Sequence, residues 1–277
     1  MPQPLDAAQI RQALPVRRVG RIVRVVSEAG STNDLAFAQG GDPDHDGLAV
    51  FADYQTAGRG RIGRRWLAPR GAAVLGSVLL FEHDDPARPG RLVLIAGMAV
   101  CQAVSAVAHD VEPVIRWPND VLVGGRKLAG ILVESKLLPQ RRAYVVGIGI
   151  NCHQTPGHFP PEFREHATSL EIASDHPVAR LDLARQLLIE LDRYLAPGES
   201  LSDGELCDRW LAHAQSMGQR VHLRQGGRTY VGRTLQIDPT GSLTIELEPG
   251  GRRVFDAATT TVLSFPWRAE QPEGSSS

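Results

Sequence analysis

Two runs of this chain that read as β-strands carry glycine where strands avoid it. Arg126 to Ser135 has Gly130 in its middle, and Ala143 to Asn151 has Gly147 and Gly149. Glycine has no side chain to pack and loses the most conformational freedom on folding, so inside a strand it marks a place where a ligand or another backbone comes close. Side by side, two such strands make a flat wall lined by backbone. The other strong signals build a sheet around that wall. Arg21 to Val26 and Leu48 to Tyr54 predict strands, and Ala72 to Leu80, nearly all apolar, predicts a central one. Val114 to Asp120 begins as a strand that Pro118 stops. Val121 to Val123, Gly124-Gly125 and Arg126 to Ser135 predict a hairpin, because adjacent glycines supply the positive φ of a primed turn. Strict alternation along its second strand puts Lys127, Ala129, Ile131 and Val133 on one face. Lys127 then either snorkels at the strand end or is held against a ligand.

Helical spacing of Ile95, Ala99, Gln102, Ala103 and Ala106 predicts a buried helix over Leu92 to Ala108. Shorter helices are expected from Asp6, as cap, to Leu14 and over Leu35 to Gln39; Val178 to Leu195 and Ser202 to His213 read as amphipathic. From Gln219 the character changes to short alternating strands separated by Gly226-Gly227, Asp238-Pro239-Thr240-Gly241 and Pro249-Gly250-Gly251, the pattern of a small closed β-barrel. The expected organisation is a main domain over 1–214, a barrel over 215–268 and a disordered tail over 269–277.

Thirty Lys+Arg against thirty-one Asp+Glu give a formal net charge of −1, so no overall field draws the chain onto nucleic acid or an anionic membrane. Only about thirty residues precede the first motif, which predicts no DNA-binding domain ahead of the core. The start lacks a basic region followed by an apolar run, and no stretch reads as the ~20 apolar residues of a membrane span, so a cytoplasmic address is expected. Cys101, Cys152 and Cys207 match no disulfide framework or zinc spacing, and His153, His158 and His166 match no ligand spacing.

Against that neutral background, Gly58 to Trp66 packs four arginines and three glycines into nine residues. Glycine lets backbone N–H groups approach a ligand, and arginine offers a planar fork for phosphate or carboxylate, so an oxyanion belongs here. Gly58-x-Gly60-x-x-Gly63 also fits the dinucleotide fingerprint. That fingerprint should open a helix, whereas this chain runs into Pro69 and Gly71, so a mobile loop closing over a phosphorylated small molecule is the better expectation. Ser31, Thr32 and Asn33 either cap the following helix or present donors and acceptors to a polar ligand edge.

Taken in order, Ser31-Thr32-Asn33, Asp53 to Trp66, Arg116-Trp117-Pro118-Asn119-Asp120, Arg126 to Glu134 and Gly147-Ile148-Gly149-Ile150-Asn151 resemble the motif series of biotin protein ligases, over about residues 20 to 265. The resemblance implies an α+β fold, a central mixed β-sheet flanked by helices as in class II synthetases and biotin–lipoate ligases, with a C-terminal SH3-like barrel. It implies that biotin and MgATP form biotinyl-5′-adenylate, which acylates one lysine of a biotin carboxyl carrier domain of an enzyme such as acetyl-CoA carboxylase. Lys127, Arg59 and Arg61 would be catalytic. Ser31, Thr32, Asn33, Gln55, Gly58, Arg59, Gly60, Arg61, Lys127, Gly130 and Gly149 would hold biotin. Arg61, Arg64, Trp66, Asn119, Asp120, Lys127 and Asn151 would serve ATP, with Asp120 at Mg²⁺.

Those residue types suit the chemistry. Bringing a carboxylate to the α-phosphorus joins two anions, so cations must cancel the repulsion and a lid must keep water from the adenylate. Two positions depart from the family pattern: Arg116 stands where a lysine is common, and Cys152 where an aliphatic residue is. A lipoate ligase on a similar fold is the rival enzyme, which Gly58-Arg59-Gly60-Arg61 together with Trp117-Pro118-Asn119-Asp120 disfavours. A biotin-responsive repressor or non-catalytic sensor is the rival of another class, disfavoured by the intact Lys127. A homodimer is compatible with the resemblance.

Overall fold

The computed structural model describes residues 3–82, 85, 88–138, 141–199, 201–214 and 217–264. The first half runs α1 (Ala7–Arg11), β1 (Val23–Val26), α2 (Thr32–Ala38), β2 (Ala49–Ala52), β3 (Ala73–Glu82), α3 (Arg88–Val107), β4 (Val114–Arg116), β5 (Asp120–Val123), β6 (Arg126–Leu138) and β7 (Arg141–Asn151). It continues with α4 (Leu170–Ala173), α5 (Arg180–Leu195), α6 (Asp203–His213), β8 (Arg220–Gln225), β9 (Arg228–Ile237), β10 (Leu243–Leu247), β11 (Arg252–Phe255) and β12 (Thr260–Ser264).

β1 to β7 form one seven-stranded sheet in the order β1-β2-β3-β7-β6-β5-β4. β1 and β2 are parallel and every other neighbouring pair is antiparallel, so the sheet is mixed, as expected. Its centre is the apolar run at β3, buried from Ala73 to Leu80. Register sorts the two faces. Val74, Val78, Ile131, Val146 and Ile148 point into the main core, where they meet Leu92, Ile95, Ala99 and Ala103 of α3 and Leu183, Ala184 and Leu187 of α5. Burying each such leucine stabilises the fold by about 1.5–3 kcal/mol before chain entropy is set against it. α2 covers one end of the opposite face, where Ala36 meets Val50, Leu79, Ala143 and Val145. The rest of that face carries Gly130, Gly147 and Gly149: Gly130 pairs with Gly149 and Leu132 with Gly147.

Four expectations change. The hairpin forms, with Gly124 and Gly125 both at positive φ, but a β-bulge at Leu128 breaks strict alternation: Leu122 pairs with Lys127, while Val121 pairs with Ala129. An extra residue flips everything beyond it to the other face. Lys127 therefore leaves Ala129, Ile131 and Val133 and joins Asp120 and Gly130 on the glycine face. α3 is 20 residues long with a mean hydropathy of 1.7, so by length and composition alone it does reach a membrane span; it is the core helix of this fold, largely buried. α1 ends at Arg11, short of Leu14, because Ala13 turns the chain at φ 49. Finally, β8 to β12 form a five-stranded antiparallel sheet in the order β11-β10-β9-β8-β12, open among the described residues, not the closed barrel expected. The expected tail, 269–277, lies outside the described residues.

Candidate active site

The glycine face becomes a site because three segments converge on it: the start of α2, the loop between β2 and β3, and the turn from β4 into β5. Ser31 is the N-cap residue of α2, yet its side chain makes no capping hydrogen bond. Thr32 and Asn33 turn inward and are buried. Gln55 Oε1 accepts from Thr32 N at 2.8 Å and from Thr32 Oγ1 at 3.1 Å. Ser77 Oγ, rising from β3, lies 2.7 Å from Thr32 Oγ1 and 2.6 Å from Asn33 Oδ1. Asn33 Nδ2 donates to Glu134 Oε2 at 2.6 Å. This end of the groove is thus a cluster of neutral hydrogen-bonding groups closed by one carboxylate.

The loop leaves β2 at Asp53 and returns to β3 at Gly71, and both stems are held from α5. Arg180, 3% exposed, donates to the Asp53 carboxylate at 2.5 Å and to Gly71 O at 2.7 Å. Gly71 N donates to Asp53 O at 2.8 Å. Between the stems the chain makes a tight hairpin, not a helix, with Trp66 N donating to Gly58 O and Gly60 N to Arg64 O. Its tip has Ile62 at φ 54 and Gly63 at φ 69, a conformation natural for glycine and strained for a β-branched residue. The dinucleotide fingerprint is excluded by this shape.

The two inward arginines of the hairpin diverge. Arg59 forks onto Asp34 at 2.7 and 2.9 Å and reaches Glu134 at 2.9 Å, which raises its pKa, the Asp34 hydrogen bond being the main cause. Arg61 donates to Asn119 Oδ1 at 2.9 Å, to Ala257 O in the link between β11 and β12, and, at 3.1 Å, to Thr260 O of β12. Burial lowers the Arg61 pKa. Beside it, Lys127 Nζ sits 2.6 Å from Asp120 Oδ1 and Arg116 Nη2 2.7 Å from Asp120 Oδ2. Burial pushes the Asp120 carboxyl up, but the charges of Lys127 and Arg116 outweigh it and hold the group below its ordinary value.

Between these two ends lies the glycine floor, and Trp66 covers it. A Cβ at Gly149 would stand 2.6 Å from Trp66 Cε2, and one at Gly130 would stand 3.0 Å from Trp66 Cζ3 and 3.2 Å from Lys127 Nζ. Lys127 Nζ is 5.6 Å from the centre of the Trp66 ring. The indole Nε1 is buried without a hydrogen-bond partner.

A model of the biotin/lipoate A/B protein ligase family matches residues 30–151, which include every motif residue described above. The biotin--[acetyl-CoA-carboxylase] ligase of Mycobacterium tuberculosis is 36% identical over 265 residues, spanning 94% of this chain and 96% of that protein. The chain belongs to the biotin/lipoate A/B protein ligase family. The bifunctional ligase/repressor BirA of Bacillus subtilis is 30% identical, over 92% of this chain and 79% of that protein. Among solved structures, a biotin protein ligase from Aquifex aeolicus in complex with biotin and ATP superimposes with a TM-score of 0.67 at 25% identity, over 87% of this chain and 98% of that one.

For this member of the biotin/lipoate ligase family, most of the residues expected from the motifs gather on one face of the sheet. Thr32, Asn33, Gln55, Arg59, Arg61, Trp66, Asn119, Asp120, Lys127, Gly130 and Gly149 surround the floor. Arg64 is exposed, and its charge acts on Arg61. Asn151 is buried, and its amide is engaged elsewhere: Nδ2 donates to Thr168 O at 2.9 Å and Oδ1 accepts from Gln154 at 2.7 Å. Gly58 lies against the Trp66 backbone, where a Cβ would come 2.6 Å from the carbonyl oxygen. Three participants escape a reading of the motifs. Ser77 is the one hydroxyl in the apolar run of β3, Glu134 closes a motif that assigns it no role, and Arg180 acts from 127 residues beyond Asp53.

Among the described residues no three His, Cys, Asp or Glu side chains come together as a metal site. Asp120 is the carboxylate at the cationic end, and each of its oxygens already faces a cation. Such a donor set fits Mg²⁺ only as an ion carried by phosphate, since Mg²⁺ keeps several waters and takes one or two carboxylates beside phosphate oxygens.

Proposed function

We propose that this chain is an ATP-dependent biotin protein ligase: it condenses biotin with ATP to biotinyl-5′-AMP and pyrophosphate, then acylates one lysine of a biotin carboxyl carrier domain. The observation that carries this reading is one glycine-floored groove with neutral hydrogen-bonding groups at one end and Arg61, Lys127 and Arg116 at the other. The neutral end selects the substrate. A cyclic urea brings two N–H donors and one carbonyl acceptor to Thr32, Asn33, Gln55 and Ser31. The dithiolane ring of a lipoyl group brings neither and gains none of these hydrogen bonds, each worth about 0.5–1.5 kcal/mol.

The ring and valeryl chain lie along the backbone of Gly130, Gly147 and Gly149, where any side chain would intrude. That brings the carboxylate to the Lys127 end. The ammonium of Lys127, released from Asp120, lies between that carboxylate and the α-phosphate and offsets the charge that builds on the phosphoryl oxygens during attack. Arg61 adds a second cation to the same oxygens. The new bond joins the carboxylate oxygen to the α-phosphorus, and the α-phosphorus–oxygen bond to the β-phosphate breaks, its electron pair leaving on pyrophosphate. In the second step the acceptor lysine amine attacks the mixed anhydride carbonyl, an amide forms, and AMP departs. Asp120 is the residue that would hold Mg²⁺ beside the nucleotide, and the ion would add neutralisation of phosphate charge there. Trp66, Arg64, Asn119 and Asn151 complete the nucleotide side of this reading. Trp66 lifts off the floor as ligand enters, and its orphaned Nε1 then gains a partner. Gly58, Gly60 and Arg59 close with the hairpin over biotin, keeping water from the adenylate.

Residues 1–214 form the ligase domain and 215–268 a small SH3-like β domain whose sheet is curled but unclosed: only residues 256–259 link β11 to β12, a reach of about 17 Å. The compartment is the cytoplasm, the balanced charge gives DNA no broad surface, and a homodimer would join through an open edge of the large sheet, whose unpaired N–H and C=O groups invite pairing. The test is isotope exchange between pyrophosphate and ATP. Exchange that depends on biotin supports the ligase; exchange with lipoate instead, or none with either, overturns it.

A further inference from the structure

One carboxylate of the groove takes no part in the reaction derived above. Glu134 follows Gly130 and Leu132 along β6 on the glycine face, opposite Val145 of β7, so it stands where the bare floor gives way to the apolar cluster under α2. A single oxygen of it, Oε2, accepts from two segments distant in the chain: Asn33 Nδ2 of α2 at 2.6 Å and Arg59 Nη2 of the hairpin at 2.9 Å. The two donors depend on it unequally. Arg59 also keeps a two-pronged grip on Asp34. Asn33 Nδ2 has, among the described residues, only a 3.5 Å approach to Leu132 O besides.

That dependence sets which edge of the Asn33 amide a ligand meets. A side-chain amide carries donors on one edge and an acceptor on the other, and its hydrogen-bond partners decide which way it faces. An ionised carboxylate only accepts, so Glu134 takes the NH₂ edge. Oδ1 is thereby turned onto the glycine floor: it accepts from Ser77 Oγ at 2.6 Å, and a Cβ at Gly147 would stand 2.3 Å from it. An amide oxygen has a second lone pair, which is left for an N–H donor on the ligand. We infer that Glu134 is a positioning residue that locks Asn33 as a hydrogen-bond acceptor, so that this end of the groove selects a ring carrying an N–H at that point and rejects one carrying an oxygen there. Arg59 holds the same carboxylate oxygen, so the hairpin and the recognition residue share one anchor. The inference rests on the ligase reading above and adds the residue that sets its specificity.

Glu134→Gln, Asn33→Ala and the double variant are compared with the unmodified chain in pyrophosphate exchange. The probes are biotin and its two carbamate analogues, each with one ureido N–H replaced by a ring oxygen. Glutamine keeps the shape of the side chain, which is 33% exposed, so folding is safe. Its amide both donates and accepts, which frees Asn33 to turn over. Glu134→Gln should raise KM for biotin about tenfold, the size of one misdirected hydrogen bond, with the maximal exchange rate unchanged. The unmodified chain should reject at least one carbamate about tenfold or more against biotin, and Glu134→Gln should narrow that gap severalfold, an effect that lost stability would not produce. Added to Asn33→Ala, Glu134→Gln should raise KM no further, since two residues that act as a unit are not additive. If Asn33→Ala does not fold, the analogue ratio decides alone. An unmodified chain that uses both carbamates as well as biotin overturns the inference. So does an unchanged analogue ratio in Glu134→Gln, or a full further rise in KM on top of Asn33→Ala. Absence of biotin-dependent exchange in the unmodified chain sinks the ligase reading itself, a different result.

Discussion

The same two strands, β6 and β7, present opposite chemistries on their two faces. On one face Ile131, Val133, Val146 and Ile148 lock into the core under α3, and on the other Gly130, Gly147 and Gly149 leave bare backbone under Trp66 and Asn33. One face is there to hold the sheet together and the other to leave room. A change to the first should be read in stability, and a change to the second in substrate binding and rate.

The largest expected effect is on the glycine face. Lys127→Ala should lower the rate of adenylate formation by about 10²–10³-fold, the loss typical of one transition-state charge donor, far more than the modest loss of folding stability from its ion pair with Asp120 accounts for. A near-normal single-turnover rate would remove Lys127 from the chemistry. Opposite it, Ile148→Ala should cost about 2–5 kcal/mol of folding stability, the range for truncating a buried aliphatic side chain, while the molecules that stay folded keep their KM for biotin. Loss of binding without loss of stability would erase the distinction between the faces. Gly149→Ala is milder. The added methyl meets Trp66 and any ligand on the floor, an overpacking of about 1–3 kcal/mol, so KM for biotin should rise roughly tenfold with little change in melting temperature.

The smallest effect concerns the cationic end. Asp120 has its folded pKa held below the ordinary value of about 4, so its ion pairs with Lys127 and Arg116 stabilise the fold above that pH and are lost as pH falls through the folded pKa. The melting temperature of the unmodified chain should therefore exceed that of Asp120→Asn near neutrality, and the gap should close as the solution is made more acidic than about pH 4. A gap that persists there would mean that Asp120 acts through its shape and not its charge.

Much of this contrast was legible in the residues. The apolar run at β3, the helical spacing of α3 and the Gly124-Gly125 hairpin are local patterns, and local physics decides them. The face of Lys127 was not legible, because counting by two along β6 cannot detect the bulge at Leu128; only the pairing with β5 exposes it. Ser77 was hidden for a related reason: within an otherwise apolar strand one small hydroxyl is cheap to bury, and its partners Thr32 and Asn33 lie more than forty positions earlier. The brace from Arg180 to Asp53 and Gly71 joins segments that nothing in their own neighbourhoods connects. Closure of the small sheet depends on contacts between its edges, about which the turn spacing of Gly226-Gly227 and Pro249-Gly250-Gly251 is silent.

The central claim is that the glycine face is the floor on which biotin and the α-phosphate meet. Crystals of the protein with a non-hydrolysable biotinyl-adenylate analogue test it most directly. The ureido ring should bind at Thr32, Asn33 and Gln55, the valeryl chain should lie over Gly149 and Gly130 with Trp66 displaced, and the linkage to phosphorus should come within hydrogen-bond distance of Lys127 Nζ. An analogue bound elsewhere, with Trp66 still resting on Gly149, would contradict it.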